Sequence, residues 1–249
     1  MVHKIILIRH GQSEFNDQNL FCGWRDVNLT AKGIQQAKSA SQLLKQANIR
    51  PELIFTSRLK RSIQTGDIIK RTLGLEDVEC VRSWRLNERH YGQLQGHSKS
   101  EVLAKVGKEQ YMYWRRDING IPPLETEVSE EIKEKYKDEF PDGTGIPRGE
   151  SLKMVIERLK ELLFGEIQRN VMAGKTVLVV AHGSTVRATL VLLKKITDEE
   201  EIKSLNIPNS MPLVIELDDN FNFLNEYYLD PANAALESKR VANEGFGKL

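Results

Sequence analysis

Two apolar runs constrain this chain more than any other feature. Lys4–Ile8 (KIILI) and Thr176–Ala181 (TVLVVA) are rich in β-branched residues and do not alternate with polar ones. That is the pattern of strands buried on both faces of a parallel sheet. Each run ends the same way, the first in Arg9-His10-Gly11 and the second in Ala181-His182-Gly183. The repetition predicts two imidazoles presented at one edge of one sheet. Successive strand residues point to opposite faces, so Arg9 and His10 share a pocket only where the strand breaks, which Gly11 and Gly183 permit.

The segments between the runs supply helices. Thr30 is an N-cap for Ala31–Ala47, where Ile34, Ala37, Ala40, Leu43 and Leu44 recur at helical spacing. Leu53–Phe55 reads as a strand, with Thr56-Ser57 expected to cap the helix carrying Arg58, Arg61, Ile63, Ile68 and Ile69. Val78–Val81 is a third strand, and Trp84–Gln95, around Gly92, is a loop. Ser98 with Glu101 opens a short helix in a capping-box pattern, and Glu109–Arg116 is a second. Beyond lie an amphipathic helix at Glu150–Arg169, a helix at Ser184–Lys195, and Leu213–Leu217 paired antiparallel with Phe223–Tyr228 across Asp219-Asn220. This order predicts an α/β fold: a mostly parallel central sheet with helices on both faces, a three-layer sandwich that binds ligand beyond the carboxyl ends of its strands.

The 249 residues are expected to form one domain, 1–249, with a turn-rich lid insertion at about 120–149 and a loosely held tail from about Val241, near Gly245 and Gly247. Thirty-six basic residues against 35 acidic ones leave no broad positive field for nucleic acid. The near balance conceals an opposition, since Leu124–Asp142 holds eight acids and three lysines while Arg82–Arg116 holds eight bases and three acids. Two cysteines, Cys22 and Cys80, imply no disulfide framework. The opening apolar run is far short of the about 20 residues that span a bilayer, so no membrane partner and a cytoplasmic location are expected.

The chemistry gathers at the expected rim: Arg9, His10, Ser13 and Asn16; Arg61; Glu88, Arg89, His90 and Tyr91; Lys99; Arg115 and Arg116; His182. Guanidinium groups without matching carboxylates are what phosphate or carboxylate recognition demands. No HExxH, acidic calcium loop or close Cys/His set is present, so no metal is expected and the cations neutralise the ligand. A neutral imidazole among arginines can attack phosphorus in line, while the other ring, Arg9 and Arg61 stabilise the transferring oxygens. Glu88, flanked by Arg85 and Arg89, is the natural general acid and base.

Taken singly, several of these residues have plainer readings. Lys99 would lie on the surface, and of Arg115 and Arg116, about 100° apart on a helix, one would point in and one out. His90 has no evident task. Ser13 lacks a nucleophile elbow and reads as a positioning hydroxyl.

RHGQS with Asn16, FCGW (21–24), TSRLKRSIQT (56–65), WRLNERHYGQLQG (84–96), WRR (114–116), ESL (150–152), AHG (181–183) and LNIPNSMPLV (205–214) together resemble the cofactor-dependent phosphoglycerate mutases of the histidine phosphatase superfamily. The resemblance spans nearly the whole chain. It implies that His10 carries the phosphoryl group, that Glu88 moves the proton and that His182 stabilises the transition state, with Arg9 and Arg61 assisting. It implies ligand contacts from Arg9, His10, Gly11, Gln12, Ser13, Asn16, Cys22, Gly23, Arg61, Glu88, Arg89, His90, Tyr91, Lys99, Arg115, Arg116, Gly183 and Ser184. The chain departs from the pattern at Phe15, where Trp is usual, at Ser184, where Asn is usual, and in a shorter insert at Pro122–Gly149.

On this resemblance the expected activity is interconversion of 3-phosphoglycerate and 2-phosphoglycerate, primed by 2,3-bisphosphoglycerate, in a homodimer or homotetramer. The nearest rival is a bisphosphoglycerate mutase, in whose branch Gly and Ser tend to replace Ser13 and Gly23. A binding protein that keeps the anion pocket without turnover is the rival outside enzymes.

Overall fold

In the computed structural model, residues 1–244 and 246 are described. The elements follow in the order β1 (His3–Arg9), α1 (Glu14–Asp17), α2 (Ala31–Gln46), β2 (Leu53–Thr56), α3 (Lys60–Leu73), β3 (Cys80–Arg82), α4 (Lys99–Arg116) and α5 (Glu130–Lys135). After these come α6 (Leu152–Leu162), α7 (Gln168–Met172), β4 (Val177–Ala181), α8 (Gly183–Lys194), α9 (Glu199–Ser204), β5 (Leu213–Leu217), β6 (Phe223–Tyr228) and α10 (Pro231–Ala242).

The six strands form one sheet in the order β3-β2-β4-β1-β5-β6. The first four are mutually parallel, and β5 and β6 run antiparallel at the β1 side. Alternation along each strand divides the apolar residues between two layers. Ile5, Leu7, Phe55, Val177 and Val179 pack with the Leu152, Val155 and Leu159 face of α6 and with α8. Ile6, Ile8, Ile54, Leu178 and Val180 pack with Ala40 and Leu44 of α2 and Ile69 of α3. Both runs are continuously apolar because each residue has a hydrophobic partner whichever face it takes.

Several expectations shift by a residue or more. The third strand starts at Cys80, two residues after Val78. The two helices foreseen after Ser98 are one run, Lys99–Arg116, broken at Gly107, whose φ of 80° is non-helical. The helix expected over 150–169 starts at Leu152 behind the Ser151 cap and, through a π turn at Leu163–Ile167, continues into α7. Thr56-Ser57 does not cap α3. Leu59 holds the N-cap position without a side-chain bond, and the Lys60 N–H is satisfied by Asp26 Oδ1 at 2.6 Å.

The loop after β1 is pinned by backbone contact. A Cβ on Gly33, in the first turn of α2, would lie 2.1 Å from the Gln12 carbonyl oxygen, and one on Gly11 would lie 2.3 Å from that of Gly33. Neither glycine needs a positive φ; each is there because the helix start and the loop touch main chain to main chain. Gly33→Ala is therefore expected to destabilise the fold by about 1–3 kcal/mol through overpacking, although alanine alone favours a helix by about 1 kcal/mol over glycine. Urea unfolding checks the sign, and a raised midpoint would show that the contact relaxes.

Candidate active site

Register brings the histidines together. Arg9 of β1 lies opposite Ala181 of β4 in a parallel pair, and the His10 N–H donates to the Ala181 carbonyl at 3.0 Å. The next residue on each strand therefore emerges at the same edge, and the His10 and His182 rings meet edge-on with centroids 4.9 Å apart. The parallel end of β2 contributes Ser57 alongside.

The His10 tautomer is defined by its neighbour. His10 Nδ1 lies 2.6 Å from the Gly11 carbonyl oxygen, which can only accept. Nδ1 thus carries the proton and Nε2 the lone pair, facing Arg61 Nε–H at 3.2 Å. Ser57 Oγ accepts the Leu59 N–H at 3.1 Å and lies 2.8 Å from His182 Nε2. With one lone pair still free, the Ser57 oxygen accepts from Nε2–H in one tautomer of His182, and its hydroxyl donates to Nε2 in the other. His182 Nδ1 is buried with no hydrogen-bond partner among the described residues. Burial, then Arg61 and Arg9, hold His10 well below the usual histidine range. Burial, then Arg61, His10 and Arg9, do the same for His182. Both rings are neutral.

Arg61 sits in the first turn of α3, fully buried. Its Nη1 and Nη2 donate to the carbonyls of Arg25 and Gly23 at 2.9 and 2.8 Å, which aims Nε at His10. Arg9 is fastened through Nη1 to the Ile207 carbonyl at 2.8 Å. The Glu88 carboxylate accepts the backbone N–H of Arg89 at 2.7 Å and that of Ser184, in the first turn of α8, at 3.2 Å. The flanking arginines do not pair with the Glu88 carboxylate as expected: Arg85 turns outward to Glu161. Arg89 stacks over Tyr91, 4.6 Å from the ring centroid, and donates to the carbonyls of Trp114 and Arg115.

Arg9 and Glu88 lead from this cluster to a cavity also lined by Asn16, Cys22, Gly23, Tyr91, Lys99, Arg115, Arg116, Gly183 and Ser184, all foreseen from sequence, and by Arg187, Val241 and Glu244, which were not; the buried His10, Arg61 and His182 are not among its lining residues. Lys99 is buried, with Nζ 2.7 Å from Glu244. Arg115 and Arg116 both point inward, contrary to the simple helical reading. The end of α4 is clasped on one side by the C-terminal segment, with Arg115 on the Val241 carbonyl at 3.1 Å. On the other side Arg116 reaches Asn206 Oδ1 at 2.6 Å.

Other expected contacts lie off the cavity. Ser13 caps α1 by accepting the Asn16 N–H, and Asn16 Oδ1 accepts the Ser13 N–H in return. The Gln12 side chain accepts the Thr30 hydroxyl at 2.8 Å. His90 faces away, 3.7 Å from Glu125 and packed on Trp24. Burial holds its pKa down to about 3. Burial likewise pushes the Cys22 thiol up.

Residues of the 120–149 insert pack through Tyr136, Phe140 and Ile146 on Trp24 and Trp84, and none of them lines the cavity. Val241 and Glu244 are seated in the cavity wall instead of hanging loosely; residues 245 and 247–249 of the expected tail lie outside the described residues. Burial alone would raise the Glu244 carboxyl, but Lys99, Arg9 and Arg115 outweigh it and hold it below the ordinary carboxylate range. Arg187 could have been noticed as the single charge in the otherwise uncharged GSTVRATLVLL of α8. Glu244 and the Ser57–His182 bond carried no local signal.

The chain matches the Histidine phosphatase superfamily (branch 1) over residues 5–128 and 122–229. It is 44% identical over 246 residues to phosphoglycerate mutase 1 of Saccharomyces cerevisiae, covering 97% of this chain and 98% of that protein. It is 45% identical over 244 residues to the 2,3-bisphosphoglycerate-dependent phosphoglycerate mutase of Corynebacterium diphtheriae, covering 97% and 98%. Among solved structures it superposes on Mycobacterial hydrolase 1 with a TM-score of 0.69 at 22% identity, covering 92% of this chain and 97% of that one. A mycobacterial glucosyl-3-phosphoglycerate phosphatase gives a TM-score of 0.68 at 21% identity, covering 91% and 97%. The chain thus belongs to the histidine phosphatase superfamily. Within it, full-length identity places the chain in the phosphoglycerate mutase family.

Two measurements follow from the histidines. His10, His182 and His90 have folded pKa values below the ordinary 6.5. On acidification the unfolded chain binds protons that the native state refuses. Stability is therefore full above pH 6.5 and falls as the pH drops towards the folded values, by up to about 1.4 kcal/mol per pH unit for each ring. Urea midpoints at pH 7.5, 6 and 5 should decline in that order. In Ser57→Ala the hydrogen-bond partner of His182 Nε2 is gone, so the His182 imidazole ¹⁵N shifts should move as its tautomer populations change.

Proposed function

We propose that the protein interconverts 3-phosphoglycerate and 2-phosphoglycerate through a phosphohistidine on His10. The observation that carries this reading is the state of His10: buried and neutral, with Nδ1–H committed to Gly11 and the Nε2 lone pair beside the Arg61 guanidinium. Such a nitrogen can attack phosphorus in line, dividing one hard displacement into two easier ones. Arg9 and Arg61 neutralise the equatorial oxygens, and His182 in the tautomer protonated at Nδ1 is a neutral donor to them. Glu88, oriented by two backbone N–H groups, gives and takes the substrate hydroxyl proton.

When bound, 2,3-bisphosphoglycerate supplies the priming phosphoryl group. The cavity suits such an anion: Arg9, Lys99, Arg115 and Arg116 line it, and Arg9 Nε and Arg115 Nη1 are buried without acceptors among the described residues. Asn16, Cys22, Gly23, Tyr91, Gly183 and Ser184 complete the proposed contacts. Gly11, Gln12, Ser13 and Arg89 act from behind the wall by fixing the loops, and His90 leaves the set. Exclusion of water, which a phosphoenzyme requires, falls to Val241 and Glu244. The same reading makes the protein a cytoplasmic homo-oligomer, dimer or tetramer, working on a small phosphorylated substrate without metal, nucleic acid or membrane. Among the described residues no helix is long and apolar enough to cross a bilayer.

The test is direct. Wild type mixed with radiolabelled 2,3-bisphosphoglycerate and quenched in alkali should carry label on the peptide containing His10, and His10→Ala should carry none and lose isomerisation. Glu88→Gln should still accept label while kcat falls by about 10²–10⁴, the usual worth of general acid–base catalysis. Absence of label from wild type would refute the mechanism and favour a binding protein.

A further inference from the structure

Arg187 sits on α8, one turn beyond Gly183, and its side chain lines the cavity while only 4% exposed. A buried arginine that merely braces a fold is recognisable here in Arg158. Its Nε meets Glu150 at 2.7 Å, and its Nη atoms donate to the carbonyls of Arg85, Asn87 and Glu88. Arg187 is held differently. Among the described residues its hydrogen bond is a long one, Nη2 to the Arg116 carbonyl at 3.5 Å. Its Nε is buried without an acceptor, and the Glu88 carboxylate of the same cavity favours its charge without forming an ion pair with it among the described residues.

Its surroundings compound the cost. Arg89 Nε and Nη1 and Arg115 Nη1 are likewise buried without acceptors. Burial, then Arg89, bring the Arg187 pKa down to about 10, which still leaves it charged at neutral pH. Buried charge without a partner is costly, and breaking a pair by removing one member is far worse than never burying it. Of the two carboxylates lining the cavity, Glu244 is spent on Lys99 and Arg115, and Glu88 accepts the backbone N–H groups of Arg89 and Ser184. The acceptor missing from Arg187 is therefore expected from the ligand.

Given the mutase reading above, we propose that Arg187 determines specificity by binding the second anionic group of a doubly anionic phosphate ester, the end remote from the phosphorus attacked by His10. Arg9 and Arg61 serve the reacting phosphoryl group. Arg187 adds a fork-shaped donor for the carboxylate or second phosphate and so separates glycerate phosphates from esters with a single charged end.

The test compares two phosphoryl donors on wild type, Arg187→Met and Arg187→Lys. Phosphoramidate carries one phosphoryl group and no second anion; His10 Nε2 attacks its phosphorus, the P–N bond breaks and ammonia leaves. Labelling efficiency with 2,3-bisphosphoglycerate divided by that with phosphoramidate is the readout. In Arg187→Met this ratio should fall about ten-fold or more, the worth of a hydrogen bond to a charged group, with KM for 3-phosphoglycerate rising in step. Arg187→Lys, which keeps the charge but loses the fork, should show a fall of about three-fold and is decisive where the methionine variant does not fold. An unchanged ratio in a folded variant, or equal losses with both donors, overturns the assignment. Wild type that labels with phosphoramidate but not with the bisphosphate would overturn the mutase reading itself.

Discussion

Parallel hydrogen bonding between β1 and β4, in the register that sets Arg9 against Ala181, is what the rest of this molecule depends on. A slip of one residue would turn the Ile5, Leu7, Val177 and Val179 face away from α6 and α8. It would also part the two imidazoles, because each sits one residue past the last pair of the ladder. The core and the reacting centre are therefore secured by the same bonds. Apolar burial fixes the register, and the register fixes the chemistry.

That arrangement lets the protein hold unusual charge. His10 and His182 remain neutral because burial and the guanidinium groups of Arg61 and Arg9 act in the same direction. Arg61 can be fully enclosed since carbonyls of the 23–25 loop take two of its nitrogens. That loop is steadied in turn by Asp26, which accepts the Lys60 N–H and pairs with Lys135 of the insert at 2.7 Å. The insert thus bears on the site through the loop that aims Arg61, without touching the cavity.

What could be read in advance divides by the range of the signal. Strand-end His10 and His182 stood out because β-branched runs and the following glycines are local features. Thr30 and Ser98 were legible caps for the same reason. Ser57 misled: its place before a helix suggests a cap, but the parallel end of β2 puts it against His182, 125 residues away. Arg115 and Arg116 defied the helical wheel because α4 is covered on two sides. Lys99 owes its burial partly to Glu244, 145 residues distant. No spacing in the chain announces such a contact, which exists only once α10 has docked.

Glu244 gives that docking a thermodynamic meaning. The carboxylate engaging Lys99 and Arg115 belongs to the same polypeptide, so its local concentration does not fall on dilution. Any solute that claims those two cations must exchange with a tethered rival. Its observed dissociation constant measures a difference between two attractions, not the strength of one.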